Sequence, residues 1–450
     1  MIASLRQRIT SFILDKNFNE IFIGSIWSFS AQVAAMALGL ITSVMIARLY
    51  GAEMVGIVAI TQAFLLLATI TTVLGTNTSI LRLIPEHISK YSASSAFFLY
   101  RKTQYLVAVV SIAVGTLLFV ASRWIAQDVF GKPYLAFYFG LASCFVVFRS
   151  LMDLNTQAVR GLRLIKLFAF MQVLPSAAVL FFLITFTYLS VGQNSPVYAQ
   201  MIAWACTAMI GVVLMHFHFR KKIRGNDVVH PMSLRELLRI SSPMMMTAAM
   251  TFLLGQTGVI LLGVFRTETE VGLYAIAVKL ATLTSFLLAA INSMAAPKFS
   301  ELFHKGELNE LFYIARKSTK LIFWSTLPIL FVLIVLGEMI LKKFYGADFS
   351  IAYPAMMILI AGQLVNSMSG STGNFMNMTG NEKQFRNIVI GAGLVNVALS
   401  LTLIPRFGIL GAAASASVCV VIWNVCTLVY IKQHYGRSIG YIPFLLGPVK

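Results

Sequence analysis

The sequence predicts an all-α, polytopic membrane protein with about twelve transmembrane helices. Of its 450 residues, 58% are hydrophobic and only 11% are charged, whereas soluble domains carry roughly 25% charged residues. The apolar residues occur in long blocks, and a transmembrane helix needs about 20 consecutive residues of this kind. Composition and block length together exclude an ordinary soluble domain.

Twelve predicted spans follow one another, separated by polar or basic residues. They lie at about residues 21–47, 55–81, 104–121, 134–159, 167–189, 197–217, 240–264, 271–296, 320–341, 351–376, 387–404 and 408–431. The charge-free block 167–219 is too long for one span, and the turn residues at 192–196 divide it. Residues 1–20 predict an interfacial amphipathic segment, because Leu5, Ile9 and Phe12 fall on one helical face.

The basic residues predict an orientation. With the N-terminus taken as cytoplasmic, 26 of the 35 Lys and Arg lie in inside segments, seven in outside segments, and Arg149 and Lys279 within spans. Basic residues favour the cytoplasmic side, so both termini are expected there. This distribution accounts for most of the net charge of +19 without a nucleic-acid partner. The four cysteines lie in apolar blocks and predict neither disulfides nor a metal site.

The two halves of the chain resemble each other. Val55-Gly56-x-x-Ala59-Ile60 recurs 216 residues later as Val271-Gly272-x-x-Ala275-Ile276, and three further matches follow in order at nearly the same shift. We therefore expect a six-helix lobe at 21–217, a cytoplasmic linker at 218–239, a second six-helix lobe at 240–431 and a cytoplasmic tail at 432–450. Parallel repeats of this kind place a central cavity between them.

Five short motifs carry a family resemblance that extends over nearly the whole chain. They are Ala47-Arg48-Leu49-Tyr50-Gly51 after the first span, Arg160-Gly161 after the fourth, Val271-Gly272-Leu273-Tyr274 with Lys279-Leu280 in the eighth, Thr379-Gly380-Asn381-Glu382-Lys383 after the tenth, and Leu403-Ile404-Pro405 with Gly408 and Gly411-Ala412-Ala413 between the last two. This set resembles the motifs of polysaccharide and O-antigen flippases. Their superfamily also holds multidrug and toxin extruders and lipid II flippases.

The resemblance implies a MATE-like flippase fold and a transport function. The implied cargo is an undecaprenyl-diphosphate-linked oligosaccharide, the repeat unit of an O-antigen, capsule or exopolysaccharide, moved to the outer leaflet of a bacterial inner membrane. It implies alternating access, no covalent chemistry and no cofactor, with proton or sodium coupling left open. The expected partners are this substrate, membrane lipid, and the polymerase and glycosyltransferases of the same pathway.

Three ionisable residues inside the spans are candidates for contact with the cargo. A charged group near the bilayer centre costs about 2.5–3.5 kcal/mol on insertion scales, so such residues usually have a function or a partner. Lys279 is expected to bind the diphosphate in the cavity, the alternative being that it snorkels or pairs with an acid. Arg149 and Asp153 share a helix face. They form either a cavity pair, with Asp153 as counter-ion or proton carrier, or a self-satisfying structural pair.

Five basic residues are expected at the mouths of the cavity. Arg48 and Arg266 stand at the outer mouth, and Arg82, Arg160 and Lys298 at the inner mouth. Each is either a gate residue or only a charge that orients the protein. The tenth span is rich in small and amide side chains, which serve either as helix-packing contacts or as sugar contacts. Its polar residues are Gln363, Asn366, Ser367, Ser369, Ser371, Thr372, Asn374 and Asn377.

Two other functions compete with the flippase interpretation. A multidrug extruder would favour buried acids for cationic drugs, whereas the interior charges here are net positive. A membrane-embedded glycan polymerase or glycosyltransferase usually needs a sizeable outer domain, and the predicted outer loops are short. A structural scaffold is disfavoured because buried charge is costly.

Overall fold

The computed structural model describes residues 16–223 and 229–441, which fold into helices joined by short turns, with no β-strand in this part of the chain. The helices are α1 Lys16–Val73, α2 Thr76–Lys90, α3 Ala93–Trp124, α4 Leu135–Gly161, α5 Ile165–Tyr188, α6 Ser195–Lys222, α7 Leu234–Phe265, α8 Glu268–Ala281, α9 Leu283–His304, α10 Leu308–Ile340, α11 Tyr353–Ser369, α12 Thr372–Met378 and α13 Glu382–Tyr435. Short turns at Ile125–Val129 and Leu341–Tyr345 extend α3 and α10. The predicted all-α fold class is confirmed.

The two longest helices each contain two predicted spans. In α1, Gly51 has φ 81° and ψ 175°, and in α13, Gly408 has φ 53° and ψ −126°, so the chain leaves helical geometry at both positions. Glycine adopts positive φ without the steric cost that a Cβ atom brings. In the described residues ten helical segments are long and apolar enough to cross a membrane. Because α1 and α13 each leave helical geometry at a glycine between two predicted spans, these ten segments correspond to the twelve predicted spans.

Three predicted spans are interrupted in the structure, although each was expected to be continuous. The second span breaks at Leu74 and Gly75, the eighth at Thr282, and the tenth at Gly370 and Ser371. At the third break a Cβ on Gly370 would lie 2.2 Å from Thr319 Oγ1, so α10 passes directly against it. The residues at these breaks are mainly glycine and small polar residues, which also occur within continuous membrane helices as packing contacts.

Several helices extend beyond their predicted ends. The third span begins at Ala93 rather than about 104, and the ninth at Leu308 rather than about 320. Hydropathy detects only the part of a helix in hydrocarbon, whereas these helices continue into polar sequence. Residues 1–15 of the predicted interfacial segment and 442–450 of the predicted tail lie outside the described residues. The division into lobes at 218–239 stays a prediction.

The chain forms two compact units. The first unit comprises Met1–Ser43, Leu65–Arg123 and Ala136–Met246, and the second comprises Val44–Phe64, Trp124–Leu135 and Thr247–Lys450. The first unit has a core built around Leu99, Tyr100, Leu154 and Phe219.

The second unit has its own core, in which Phe375 packs against Phe299 and Phe312 with ring centroids 5.9 and 5.2 Å apart. The second unit also contains two segments from the first half of the sequence, 44–64 and 124–135.

Candidate functional site

The two copies of the repeated Val-Gly motif cross each other inside the second unit. A Cβ on Gly56 of α1 would lie 1.8 Å from the carbonyl oxygen of Glu268, and a Cβ on Gly272 of α8 would lie 2.0 Å from that of Ala52. Ordinary contacts of a Cβ begin near 3.4 Å. The two backbones therefore touch in the first turns of their helical segments, and only glycine fits on either side. We call this contact the glycine crossing.

A buried ion pair lies beside the glycine crossing. Lys132 Nζ lies 2.9 Å from Glu268 Oε1, and the two side chains are only 16% and 7% exposed. The same ammonium donates hydrogen bonds to the carbonyl oxygens of Gly263 and Arg266. The ammonium group therefore combines two hydrogen bonds to carbonyl groups at the end of α7 with an ion pair at the start of α8. In the sequence, Lys132 is only one of the seven basic residues that lie in predicted outside segments.

Both predicted outer-mouth arginines bind backbone carbonyl groups. Arg48 Nε donates to the carbonyl of Phe344 at 2.9 Å, and its Nη2 donates to that of Lys343. Arg266 Nε donates to Ile404 O at 3.2 Å, and its Nη2 to Pro405 O at 2.8 Å. Carbonyl groups at a helix end lack intrahelical donors and carry partial negative charge, so a guanidinium stabilises them. Their role as gate residues stays a prediction.

Lys279 lies in the last turn of α8, just before the break at Thr282. Its side chain is half-buried, while the adjacent Ile276 and Leu280 are buried. The Thr282 hydroxyl donates to the carbonyl of Val278 at 2.8 Å and to that of Lys279 at 3.2 Å, which supports the end of the helix. The negative end of the helix dipole favours a cation at this place. Contact of Lys279 with the cargo stays a prediction.

The structure brings Arg149 and Asp153 together in the first unit and adds an aromatic partner. Arg149 Nη2 lies 3.6 Å from Asp153 Oδ1, and the guanidinium lies over the Trp204 ring at 4.9 Å from its centroid. The two charged side chains are 24% and 27% exposed. A guanidinium has five N–H donors, and contacts with one Asp153 oxygen and the face of the Trp204 ring leave further donors for a ligand. Both the structural and the cargo-binding interpretation of this pair stay open to experiment.

The three predicted inner-mouth residues are exposed and contact nearby side chains. Arg82 Nε lies 3.8 Å from Glu86, Lys298 Nζ lies 3.0 Å from Glu301, and Arg160 lies over the Phe168 ring at 5.4 Å. Exposed ion pairs contribute little to stability. Their expected role at the mouth therefore stays a prediction.

Two acids of these exposed pairs have perturbed pKa values. A hydrogen bond from Lys90 lowers the pKa of the Glu86 carboxyl. Hydrogen bonds from Lys305 and Lys298 lower that of Glu301. Both carboxylates therefore stay ionised to lower pH than an isolated glutamate.

A hydrogen-bonded network connects polar residues of the tenth span with neighbouring helices. Gln363 Oε1 accepts hydrogen bonds from Ser285 at 3.0 Å and Asn366 at 3.2 Å. Asn424 Nδ2 donates to Asn366 Oδ1 at 3.2 Å, and Thr372 donates to Asn424 Oδ1 at 3.3 Å. Interhelical amide and hydroxyl contacts of this kind hold membrane helices together. For Gln363, Asn366 and Thr372 this geometry supports the packing interpretation.

Comparison with known proteins assigns the chain to a family. A family model for polysaccharide biosynthesis proteins matches residues 44–354, which is more than half of the chain. The chain belongs to the polysaccharide biosynthesis protein family. The region shared with this family contains both glycines of the crossing, the Lys132–Glu268 pair, and the candidates Arg149, Asp153 and Lys279. The resemblance drawn from the sequence motifs is confirmed.

Two curated relatives of this family member have low sequence identity to it, and each matches only part of the chain. A probable low-salt glycan biosynthesis flippase, Agl15 of Haloferax volcanii, is 24% identical over 186 residues, covering 41% of this chain and 38% of the relative. An uncharacterized membrane protein of Methanocaldococcus jannaschii is 23% identical over 248 residues, covering 54% of this chain and 48% of the relative. The chain thus spans less than half the length of these curated relatives.

Solved structures share the fold over almost the full length of this polysaccharide biosynthesis protein. The lipid II flippase MurJ in an inward closed conformation matches with a TM-score of 0.71 at 17% identity, covering 91% of this chain and 87% of that one. An inward-facing multidrug resistance MATE transporter of the MOP superfamily matches with a TM-score of 0.67 at 14% identity, covering 92% and 98%. The MATE-like flippase fold expected from the sequence is confirmed.

Three features of the site could not be predicted from the sequence. The importance of Lys132 and Glu268 depends on the pairing of residues 136 positions apart, for which one sequence carries no signal. Trp204, which covers the Arg149 guanidinium, lies in an apolar span where an aromatic residue is ordinary. The repeated Val-Gly motif was visible, but the contact between its two copies was not.

Proposed function

We propose that this polysaccharide biosynthesis protein is a flippase for an undecaprenyl-diphosphate-linked oligosaccharide. It would carry the repeat unit of an O-antigen, capsule or exopolysaccharide from the cytoplasmic to the outer leaflet by alternating access. In this proposal the protein lies in a bacterial inner membrane with both termini cytoplasmic, and it is a transporter, not an enzyme. Agl15, named as a probable flippase of glycan biosynthesis, and MurJ, a lipid II flippase, support this class of cargo.

The observation that carries the proposal is the glycine crossing. Segments from the two halves of the sequence meet there through bare backbone and one buried ion pair, Lys132 with Glu268. A contact without interlocked side chains can close tightly and still separate, because few rotamers must be rearranged. Such a contact suits a gate that forms and breaks once in each transport cycle.

The charges within the spans suit an anionic cargo. A diphosphate and its sugar hydroxyls cannot enter hydrocarbon without large cost, so the protein must supply polar partners along the path. Lys279 and Arg149 provide positive charge for the phosphates, and Asp153 serves as counter-ion or proton carrier. Arg48 and Arg266 would act at the outer mouth, and Arg82, Arg160 and Lys298 at the inner one. Proton or sodium exchange would add to the driving force.

The proposal is tested by the location of polyprenyl-linked intermediates in a strain that lacks this gene. Lipid-linked glycans are extracted and analysed from the deletion strain and from the complemented strain, and leaflet location is measured by lectin access to spheroplasts and to inverted vesicles. Completed, unpolymerised repeat units on the cytoplasmic leaflet are the expected result, and their composition identifies the cargo.

Three other outcomes would overturn the proposal. A normal set of glycan intermediates with altered drug sensitivity would indicate a multidrug extruder, the function of the MATE neighbour. Glycans that lack one sugar would indicate a glycosyltransferase, and complete units on the outer leaflet that remain unpolymerised would indicate a polymerase.

A further inference from the structure

A groove on the first unit lies between α3 and α6 and has a volume of about 380 Å³. Its walls include Arg101 and Gln104 from α3, and Val213, His216 and Arg220 from α6. The groove contains none of the candidate cargo residues. It lies at the end of these helices that the distribution of Lys and Arg assigns to the cytoplasm.

The groove changes in character along its length. Arg101 and Arg220 are exposed at its basic end, and His216 follows one turn deeper along α6. Towards the middle of α6, Phe217 and Val213 present apolar surface and are 53% and 64% exposed. Large apolar side chains this exposed on a membrane helix face lipid. A molecule with an anionic head and an apolar chain complements this arrangement.

The cations at the basic end are available for a ligand. Among the residues whose side chains the structure describes, no carboxylate lies within ion-pair distance of Arg101 or Arg220. Lys221 lies over the Phe217 ring with Nζ 4.2 Å from its centroid, which adds a third cation beside the groove. Three cations without an ion-pair partner among these described side chains produce a positive field that attracts phosphate.

The floor of the groove is rigid. Tyr100 is 1% exposed, donates a hydrogen bond to Asn155 Oδ1 at 2.8 Å, and stacks on Phe219 with ring centroids 5.8 Å apart. Asn155 in turn donates to the carbonyl of Ala208 at 3.2 Å. The space between α3 and α6 is therefore held open by packed side chains, so a ligand meets a groove that is already formed.

We propose that this groove binds an anionic phospholipid of the cytoplasmic leaflet. The phosphate lies at Arg101 and Arg220, and an acyl chain lies along Phe217 and Val213. Basic pockets between transmembrane helices on the cytoplasmic side are suited to phosphate head groups. The proposal does not depend on which cargo the protein carries.

Two other occupants fit the groove less well. The chain's own N-terminal segment contains Arg6, Arg8 and Lys16, so it carries positive charge that the positive groove repels. The sugar chain of a lipid-linked oligosaccharide would extend beyond a groove of about 380 Å³, whereas a phospholipid needs to place only its phosphate and one acyl chain there.

The test measures lipid retention by the purified full-length protein. The protein is placed in nanodiscs of phosphatidylethanolamine with phosphatidylglycerol, released, and analysed by native mass spectrometry. The double variant Arg101→Gln/Arg220→Gln should bind phosphatidylglycerol about 25-fold more weakly, at about fivefold for each arginine. The control is Arg235→Gln/Arg239→Gln, which removes two exposed arginines of the same predicted side outside the groove and should retain the lipid.

A second variant tests the groove by blocking its space instead of removing its charge. Val213→Trp fills the apolar part of the groove while leaving both arginines, and it should also lose the lipid. Equal retention by wild type and both groove variants would overturn the proposal. Equal loss in the control would do so as well, because it would indicate diffuse attraction to the basic surface. Co-purification of a lipid-linked glycan, lost in the groove variants, would make this a cargo site instead.

Discussion

Alanine at either Gly56 or Gly272 should separate α1 from α8 at the glycine crossing. In Gly56→Ala the new Cβ would fall 1.8 Å from Glu268 O, and in Gly272→Ala it would fall 2.0 Å from Ala52 O, where ordinary contact needs at least 3.4 Å. The obstructing atoms are backbone, so no side chain can move aside. The two helices must instead separate by about 1.5 Å, as in an overpacked core.

The size of the effect follows from the cost of overpacking. Extra methyl groups in a packed interior cost about 1–3 kcal/mol. If that cost falls only on the closed state, the ratio of closed to open protein falls by about 5- to 150-fold. Transport should slow accordingly, because in the proposed cycle of alternating access the glycine crossing must close.

The assay is a distance measurement by electron spin resonance in nanodiscs, with spin labels at Leu49 and Ile351. Both positions are exposed, and both belong to the second unit. The matched control is Gly255→Ala, since a Cβ on Gly255 would meet nothing within 4 Å. Both glycine variants should broaden or lengthen the distance distribution, and the control should not. A distribution unchanged in Gly56→Ala, together with normal transport, would refute the reasoning.

Three further predictions concern charged residues. Lys132→Ala leaves the buried Glu268 carboxylate without its cation and should destabilise the protein by about 3–5 kcal/mol; thermal unfolding should show this loss, and Lys132→Met with Glu268→Gln should recover much of it. Lys279→Ala should abolish export with normal membrane insertion while Lys279→Arg retains part of it, and normal export by the alanine variant would exclude Lys279 from the mechanism. If Arg149→Ala and Asp153→Ala are each inactive but the double variant is active, the pair is structural; if the double variant is also inactive, the pair acts on the cargo or its coupling.

Much of the fold could be predicted because a lipid bilayer strongly restricts which sequences can cross it. Each crossing must satisfy its backbone within a helix and expose apolar side chains, so α4 and α6 were located to within several residues from hydropathy. The turn at Gly51 was also visible, since the Arg-x-Tyr-Gly motif contains the one residue type that accepts φ 81° easily. The breaks at Thr282 and Gly370 were not expected, because glycine and small polar residues also occur within continuous membrane helices as packing contacts.

The candidate site was predicted less completely for a related reason. Charges inside apolar spans stand out, so Arg149, Asp153 and Lys279 could be selected from the sequence. Lys132 and Glu268 lie at predicted span ends, where charge is common and carries little information. Their importance comes from burial beside the glycine crossing, and burial between distant segments has no signature in a single chain.

The contacts of Arg48 and Arg266 have a consequence for sequence variation. Each guanidinium binds carbonyl oxygens, at residues 343–344 and 404–405, rather than the side chains of those residues. Nearly any amino acid can present the same carbonyl group, so a substitution at Lys343 or Phe344 need not be matched by a change at Arg48. Methods that infer contacts from correlated substitutions would therefore pass over these two contacts. Related chains can vary the acceptor positions freely while the arginines alone are kept.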